Sequence, residues 1–284
     1  MNCLLCYNPN SGKKKRKKIL DYAKTALSKK FEVDEYKSTG PKAITEYIKS
    51  LDTQYDLIVA CGGDGTVNEV VSGVIESRFP TKIGIIPLGT VNDMIHNLGV
   101  KKRYKKAVEA LLKFETKTHD IYKANDSYFS YAFAIGFLSS ISYKSKSKRL
   151  FGPFGYYLRG LVELFKFRHK HVKITVNDKT IEGKYSLVIV TNSNHIAGYS
   201  IKKNKDLDLV LFRGTRVTTA FALLLFFVFN KASHHEKCDS LKIETSFDSF
   251  NTDGEYNQLT NTVNITKVRA LEFVCDKRYL KDKS

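Results

Sequence analysis

The sequence predicts an α/β domain followed by a mainly antiparallel β domain. Three observations carry that prediction. Short apolar runs alternate with helical periodicity through the first third of the chain. Each of three such runs ends in a polar or glycine turn. After about residue 120 the texture changes to short β-like runs. Strand alternating with helix implies a parallel sheet covered on both faces, so residues 1–120 are expected as one domain and 121–284 as a second, with the extreme C-terminus free to pack back on the first.

The first unit opens with Cys3-Leu4-Leu5-Cys6-Tyr7 as a strand, Asn8-Pro9-Asn10-Ser11-Gly12 as a polar turn and Ile19 to Leu27 as a helix. Phe31 to Tyr36 alternates like a strand, and Lys42 to Leu51 reads as a helix. Next, Leu57-Ile58-Val59-Ala60-Cys61 runs into Gly62-Gly63-Asp64-Gly65-Thr66. Val67, Val70, Val71, Val74 and Ile75 then fall on one face at helical spacing, which predicts a helix beginning near Val67. In the third unit Ile83-Gly84-Ile85-Ile86 is a strand, Pro87-Leu88-Gly89-Thr90 a turn, and Asn92 to Leu98 a short helix. All three turns follow strands at their carboxyl ends, where open parallel sheets bind ligands.

Later strands are expected at Tyr128–Ile135, Val172–Val176, Tyr185–Thr191, Leu207–Phe212, Leu241–Thr245 and Ala270–Cys275. Asn177-Asp178 has the composition of a hairpin turn. Helical segments are expected from about Pro153, a suitable first-turn residue, to Phe167 and from Thr218 to Lys231.

A chain of 284 residues with 42% hydrophobic residues has ample material for a core and is not of disordered composition. A formal net charge of +18 predicts attraction to an anionic partner, set against a plain solubility role. Nucleic acid is not favoured: no helix-turn-helix, zinc finger or RNA-binding aromatic stripe is present. The five cysteines suit buried free thiols and a reducing cytoplasm. Cys3 and Cys6, three apart on a strand, face opposite ways and make a poor metal pair. No signal peptide is read at the start. The longest apolar run, Ala220 to Phe229, is too short to span a bilayer and reads as a buried helix or as a lip of a lipid cleft. Leu150 to Phe167, with Phe151, Phe154, Leu158, Leu161 and Phe165 among cations, is the competing interfacial segment. Adjacent His234 and His235 read as surface or cleft-edge residues rather than as metal ligands.

The glycine turn is the most informative feature. A strand-to-helix turn offers bare N–H groups and the positive end of a helix, a seat for phosphate. Asp64 would repel a bare anion, so the motif implies a metal–nucleotide complex. Asp64 also reads as a cap of its own helix, Asn8 as a turn opener and Asn92-Asp93 as a helix cap. Lys13 to Lys18 is a run of cations that reads either as a solvated helix face or as a contact for anionic lipid.

Four motifs in order, Asn8 to Gly12, Gly62 to Glu69, Pro87 to Asp93 and Asp253-Gly254-Glu255, resemble the diacylglycerol kinase catalytic-domain family, which includes soluble bacterial lipid kinases and the sphingosine kinases. Gly136-Phe137 and Phe151 to Tyr157 also look like that family's second domain. The resemblance implies a first domain of the NAD-kinase and phosphofructokinase type, a β-sandwich second domain, and an ATP-dependent lipid kinase with Mg²⁺. Diacylglycerol, giving phosphatidic acid, is the favoured substrate. Carried over residue by residue, Asn8, Pro9, Asn10, Ser11, Gly12, Gly62, Gly63, Asp64, Gly65, Thr66, Val67, Asn68, Glu69 and Thr90 would line ATP. Asp253 and Glu255 would hold the catalytic-carboxylate position, one of them serving as base. Asp64 and Asp93 would surround the metal.

The stretch Gly198 to Asp208 departs from the Pro-x-Ala and Asp-Gly pattern of many bacterial members. Asn204 stands where that aspartate is expected, and Asp206 is a substitute, as ligands of a further magnesium. The threonine that some members place after the second strand has Ser38 or Thr39 as its counterpart here. The partners implied are a membrane lipid and an anionic membrane surface reached through basic patches, with peripheral attachment in the cytoplasm; the family includes homodimers. The rival readings are an NAD kinase, which shares the Gly-Gly-Asp-Gly-Thr turn, and a non-catalytic basic lipid-binding relative.

Overall fold

The computed structural model describes residues 1–9, 16–89, 91–136, 169–176, 179–196, 199–200, 207–213, 235–238 and 240–279. The chain divides into two compact units, Met1–Ile121 with Arg269–Ser284, and Tyr122–Val268.

Unit 1 alternates strand and helix: β1 (Asn2–Tyr7), α1 (Arg16–Leu27), β2 (Glu32–Lys37), α2 (Ala43–Lys49), β3 (Leu57–Gly62), α3 (Asp64–Glu76), β4 (Lys82–Pro87), α4 (Asp93–Asn97) and α5 (Tyr104–Lys113). Its strands lie in the order β2-β1-β3-β4, all parallel. Neighbours alternate Val, Ile, Leu and Cys on both faces, and every residue of β3 is buried, as a doubly covered sheet requires. On one face α1 and α5 pack Ile19, Leu20, Ala23, Leu27, Val108 and Leu111 against Cys3, Leu5, Leu57, Val59 and Cys61. On the other, α3 packs against β1, β3 and β4, and α2 against α3.

Strand β1 pairs with β2 on one side and β3 on the other, so the connections reverse direction between β1 and β3. That reversal is the topological switch point where such sheets bind ligands. The register Tyr7↔Cys61 and Gly62↔Pro87 brings the carboxyl ends of β1, β3 and β4 level.

The remaining strands are β5 (Thr116–Ala124), β6 (Ser127–Phe129), β7 (Ala132–Gly136), β8 (Lys170–Val176), β9 (Lys179–Tyr185), β10 (Leu187–Thr191), β11 (His195–Ile196), β12 (Tyr199–Ser200), β13 (Leu207–Phe212), β14 (His235–Cys238), β15 (Ser240–Thr245), β16 (Ser249–Thr252), β17 (Glu255–Gln258) and β18 (Thr262–Val274). In unit 2 one sheet runs β14-β13-β10-β7-β16-β17, antiparallel throughout. The other joins β9, β8, β15 and β18, with β5 and β6 beyond. β11 and β12 form a small pair of their own. Both larger sheets feed one core: Phe133, Val188, Val190, Leu209 and Phe250 from the first, and Phe129, Val172, Ile174, Ile243 and Ile265 from the second. A single core between two antiparallel sheets is a β-sandwich.

The structure adds to the predicted elements. Helix α5 and the strands β16 and β17 on either side of the Asp253-Gly254 turn are additional to the expected helices and strands. The expected strand Tyr128–Ile135 is broken at Ser130-Tyr131 into β6 and β7, and Ala270–Cys275 is the end of a thirteen-residue strand. The expected hairpin is bounded by the pair Val176↔Lys179. The segments Pro153–Phe167 and Thr218–Lys231, and with them Ala220–Phe229, lie outside the described residues.

Candidate active site

Helix α3 begins at Asp64, with Gly63 as its N-cap. The glycine motif is therefore the first helical turn, three residues earlier than its apolar periodicity suggests. Asp64, Gly65 and Thr66 present the N–H groups that no intrahelical carbonyl can take. Thr66, Val67 and Asn68 are buried, and Val67 turns toward the core with Val70 and Val71.

The third turn is locked onto the second. The Gly62 carbonyl accepts from Leu88 N (2.8 Å), Gly89 N (3.3 Å) and Asn92 Nδ2 (3.0 Å). A Cβ added at Gly89 would lie 2.6 Å from the Cα of Gly63. The close approach explains Gly89 in terms of packing, whereas a Cβ at Gly63 would meet the Cα of Gly89 at 3.4 Å, an ordinary contact.

Asp64 caps α4 rather than its own helix. Its Oδ2 accepts from Asn92 N and its Oδ1 from Asp93 N, both at 2.9 Å. Asn92 sits at the N-cap of α4 with φ 56° and gives its amide to Gly62 instead of capping. Burial pushes the Asp64 carboxyl up to about 6, and the charge of Asp93 adds to the rise, against N–H donation from Asn92, Asp93 and its own amide. Asp93 is 2% exposed. Two carboxylates that resist joint ionisation are relieved by a divalent cation. Three amide donors leave the Asp64 carboxylate about one of its four lone-pair sites, and Mg²⁺ needs only one or two carboxylates beside water and phosphate oxygens. Among the described residues, the buried Oδ1 of Asn92 has no hydrogen-bond partner, a place for a water of such an ion. The residues present fit a hydrated magnesium.

Glu69, expected beside the nucleotide, braces α2: its Oε2 accepts from Ile44 N (3.1 Å) and its carbonyl from Thr45 Oγ1 (2.9 Å). Burial raises its pKa. Asn8 and Pro9 are half-buried at the end of β1. The Arg16 guanidinium donates to the Pro9 carbonyl. Ser38, one counterpart of the family's threonine, is buried, and its Oγ donates to the Gly40 carbonyl (2.9 Å). Asn10, Ser11, Gly12, Thr90, Asn204 and Asp206 lie outside the described residues.

In unit 2, Asp253 and Gly254 turn the hairpin between β16 and β17, with φ 51° and 90°. Asp253 is 3% exposed. Its Oδ2 accepts from Ser130 N (2.6 Å) and its Oδ1 from Tyr131 N and Ala132 N (3.0 Å each). Tyr131 Oη donates to the Asp253 carbonyl (3.0 Å), and Asp253 N donates to Ala132 O (2.8 Å). These bonds bind the hairpin to the break between β6 and β7. Glu255, two residues on, is exposed.

Cys3, Cys6, Cys61 and Cys275 are buried free thiols. Burial pushes Cys3 up to about 12 and raises the other three as well, which makes them unreactive. Among the described residues no group of three or more His, Cys, Asp or Glu could hold a metal, and no helix is long and apolar enough to cross a membrane.

A parallel sheet with glycine turns at the carboxyl ends of its strands, in one chain with an antiparallel sandwich, offers the seat of a phosphate-binding protein. Residues 2–124 match the model of the diacylglycerol kinase catalytic domain. The chain is 34% identical over 268 residues to a diacylglycerol kinase of Staphylococcus epidermidis, covering 89% of this chain and 85% of the relative. It is 32% identical to one of Staphylococcus saprophyticus, covering 89% and 88%. A crystal structure of a diacylglycerol kinase from Bacillus anthracis superposes with a TM-score of 0.80 at 26% identity, covering 98% of each chain. The chain belongs to the diacylglycerol kinase family.

Proposed function

We propose that the protein transfers the γ-phosphoryl group of ATP to the hydroxyl of diacylglycerol, giving phosphatidic acid and ADP. The observation that carries this reading is the interlocked pair of glycine turns at the switch point, with Asp64 and Asp93 beside them. The N-terminus of α3 suits a phosphate, and Asp64 with Asp93 would hold Mg²⁺. The ion would neutralise phosphate charge as the bond to the leaving ADP breaks. The relatives' names supply the acceptor.

Glu255 serves as the base. The Asp253 carboxylate is engaged by three amides and anchors the turn that carries Glu255. As the acceptor oxygen bonds to the γ-phosphorus, its proton passes to the Glu255 carboxylate, and the electron pair of the breaking P–O bond leaves with ADP. The lipid acceptor brings the enzyme to a bilayer as a peripheral protein, and its basic surface favours an anionic one. The buried free thiols suit a reducing cytoplasm.

The test is phosphatidic acid formation from diacylglycerol in neutral-detergent micelles with ATP and Mg²⁺. Glu255→Gln is expected to lower kcat by about 10²–10⁴-fold with the fold and ATP affinity unchanged. Asp253→Ala is expected to destabilise the fold, because each buried N–H left without a partner costs about 1–3 kcal/mol. No phosphorylated lipid from the wild type would end the proposal, and full activity of Glu255→Gln would end the assignment of the base.

A further inference from the structure

The hairpin that bears Glu255 ends its sheet. Strand β17 is four residues long and pairs with β16 alone, in the order β7-β16-β17. An edge strand has ladder bonds on one side only, so its backbone is held less firmly than that of a central strand. The turn before it is well fixed. Asp253 is tied to the break between β6 and β7, and Gly254 N donates to Oδ1 of the buried Asn251 (2.8 Å). Those bonds reach as far as Gly254, one residue short of Glu255.

The next hold is Asn257. Its Nδ2 donates to Thr252 Oγ1 (2.8 Å) and to the Glu255 carbonyl (3.2 Å), and its Oδ1 accepts from Ser127 Oγ (2.7 Å). The amide can stand only this way round. A carbonyl accepts and cannot donate, so the NH₂ group faces Glu255 and the oxygen is left for the Ser127 hydroxyl. In register, Thr252 lies opposite Glu255 and Phe250 opposite Asn257. Directly opposite residues share a face, as do alternate residues along a strand. Thr252, Glu255 and Asn257 therefore lie on the face that Phe250 turns to the sandwich core. Ser127 belongs to β6 in the facing sheet, two residues before the core residue Phe129. At the rim of the core, the contact between the sheets thus passes from apolar side chains to a hydroxyl on an amide. An apolar pair would also join the sheets here, but only an oriented amide grips the backbone of Glu255 as well.

We infer that Asn257, oriented by Ser127, is the positioning residue that fixes where the Glu255 carboxylate leaves β17. The inference rests on the assignment of Glu255 as base made above. A base acts only within hydrogen-bond reach of the proton it takes, and a misplacement of about 1 Å costs about 10²-fold in rate. Without the amide, β17 keeps its ladder with β16, but the Glu255 peptide loses this support.

The experiment measures kcat and ATP KM for diacylglycerol phosphorylation in neutral micelles, beside a urea melt of each variant. Asn257→Ala is expected to lower kcat by about 10²-fold with ATP KM unchanged. Ser127→Ala, in the facing sheet, reads the same dependence without altering the hairpin and should lower kcat by less. Ser127→Thr, which keeps the hydroxyl, should restore it. Ser127→Ala added to Asn257→Ala should cost nothing further. In a Glu255→Gln background Asn257→Ala should also cost nothing further, because the group it positions is gone. Asn125→Gly is the control. Asn125 bridges strands of the same unit, its Nδ2 donating to the Thr262 carbonyl (2.9 Å) and its Oδ1 accepting from Asn264 N (3.0 Å), and glycine suits its φ of 51°. This variant should unfold at lower urea and keep its kcat.

A wild type that makes no phosphatidic acid, or a fully active Glu255→Gln, would fail the reading of Glu255 and this inference with it. Full activity of Asn257→Ala beside an inactive Glu255→Gln would overturn the inference alone. So would an equal loss of kcat in Asn125→Gly, or a further loss when Asn257→Ala is added to Glu255→Gln.

Discussion

Asp64 receives two amide protons at the start of α4 while burial and the neighbouring Asp93 charge disfavour its ionised form. Its folded-state pKa of about 6 lies above the ordinary carboxylate value, so the folded state holds the proton more tightly than the unfolded chain. The associated stability is fully present below about pH 4 and is lost as pH rises through about 6, a change of about 3 kcal/mol. Urea melts in a chelator between these limits should show the difference between the wild type and Asp64→Asn shifting against the wild type as pH rises. A difference that stays flat with pH would remove Asp64 as the titrating group. A bound divalent cation should reverse the loss at neutral pH.

At the scale of elements, the site depends on two turns held in mutual contact. Gly89→Ala would press a methyl onto the Cα of Gly63, backbone rather than a yielding side chain. Overpacking of this kind costs about 1–3 kcal/mol. The turns can separate to relieve it, and the Gly62 carbonyl then loses its donors. Gly254→Ala is the control, since its Cβ would meet nothing within 4 Å and only its φ of 90° is strained. Gly89→Ala is expected to lose ATP affinity by more than its loss of stability explains, measured as ATP KM beside a urea melt. An unchanged KM would show that the contact of the turns does not shape the nucleotide seat. The strands and helices of unit 1 were legible because their patterns are local: β3 is an unbroken apolar run and α3 repeats valine at helical spacing. The locks between turns were not, because they join residues far apart in sequence. Asp64 reaches Asn92, and Asp253 reaches Ser130, through backbone amides that carry no sequence signature. Helix α5 did have a signal in Ala107, Val108, Ala110 and Leu111, masked by the cations that precede it. The break at Ser130-Tyr131 was hidden inside a continuous β-like run, and the Asp253 carboxylate that takes its amides lies in a turn more than a hundred residues further along the chain.

Across the whole chain, the last residues complete the unit that the first residues begin. Strand β18 ends in unit 1, where Phe273 pairs with Ile83 of β4 and is fully buried with its ring edge-on to His119. Val274 joins the core beneath α1 and α5. Asp276 N then donates to the Leu98 carbonyl just after α4 (3.1 Å), and Cys275 N to the Glu115 carbonyl (2.9 Å). The segment that follows unit 2 thus supports the far side of the turn that carries Asn92 and Asp93. Removing the residues after Val268 would expose the edge of β4 and free the end of α4, so nucleotide binding should fail although every predicted nucleotide residue is retained. Phe273→Ala tests instead how much stability the strand supplies, at a cost of about 3–5 kcal/mol for a buried aromatic ring. The variant should unfold at lower urea with its ATP affinity intact where it remains folded. A truncated chain that bound ATP as the full chain does would show that unit 1 is complete without its C-terminal strand, and the lock on α4 would then have to come from Asp64 and the Gly62 carbonyl alone.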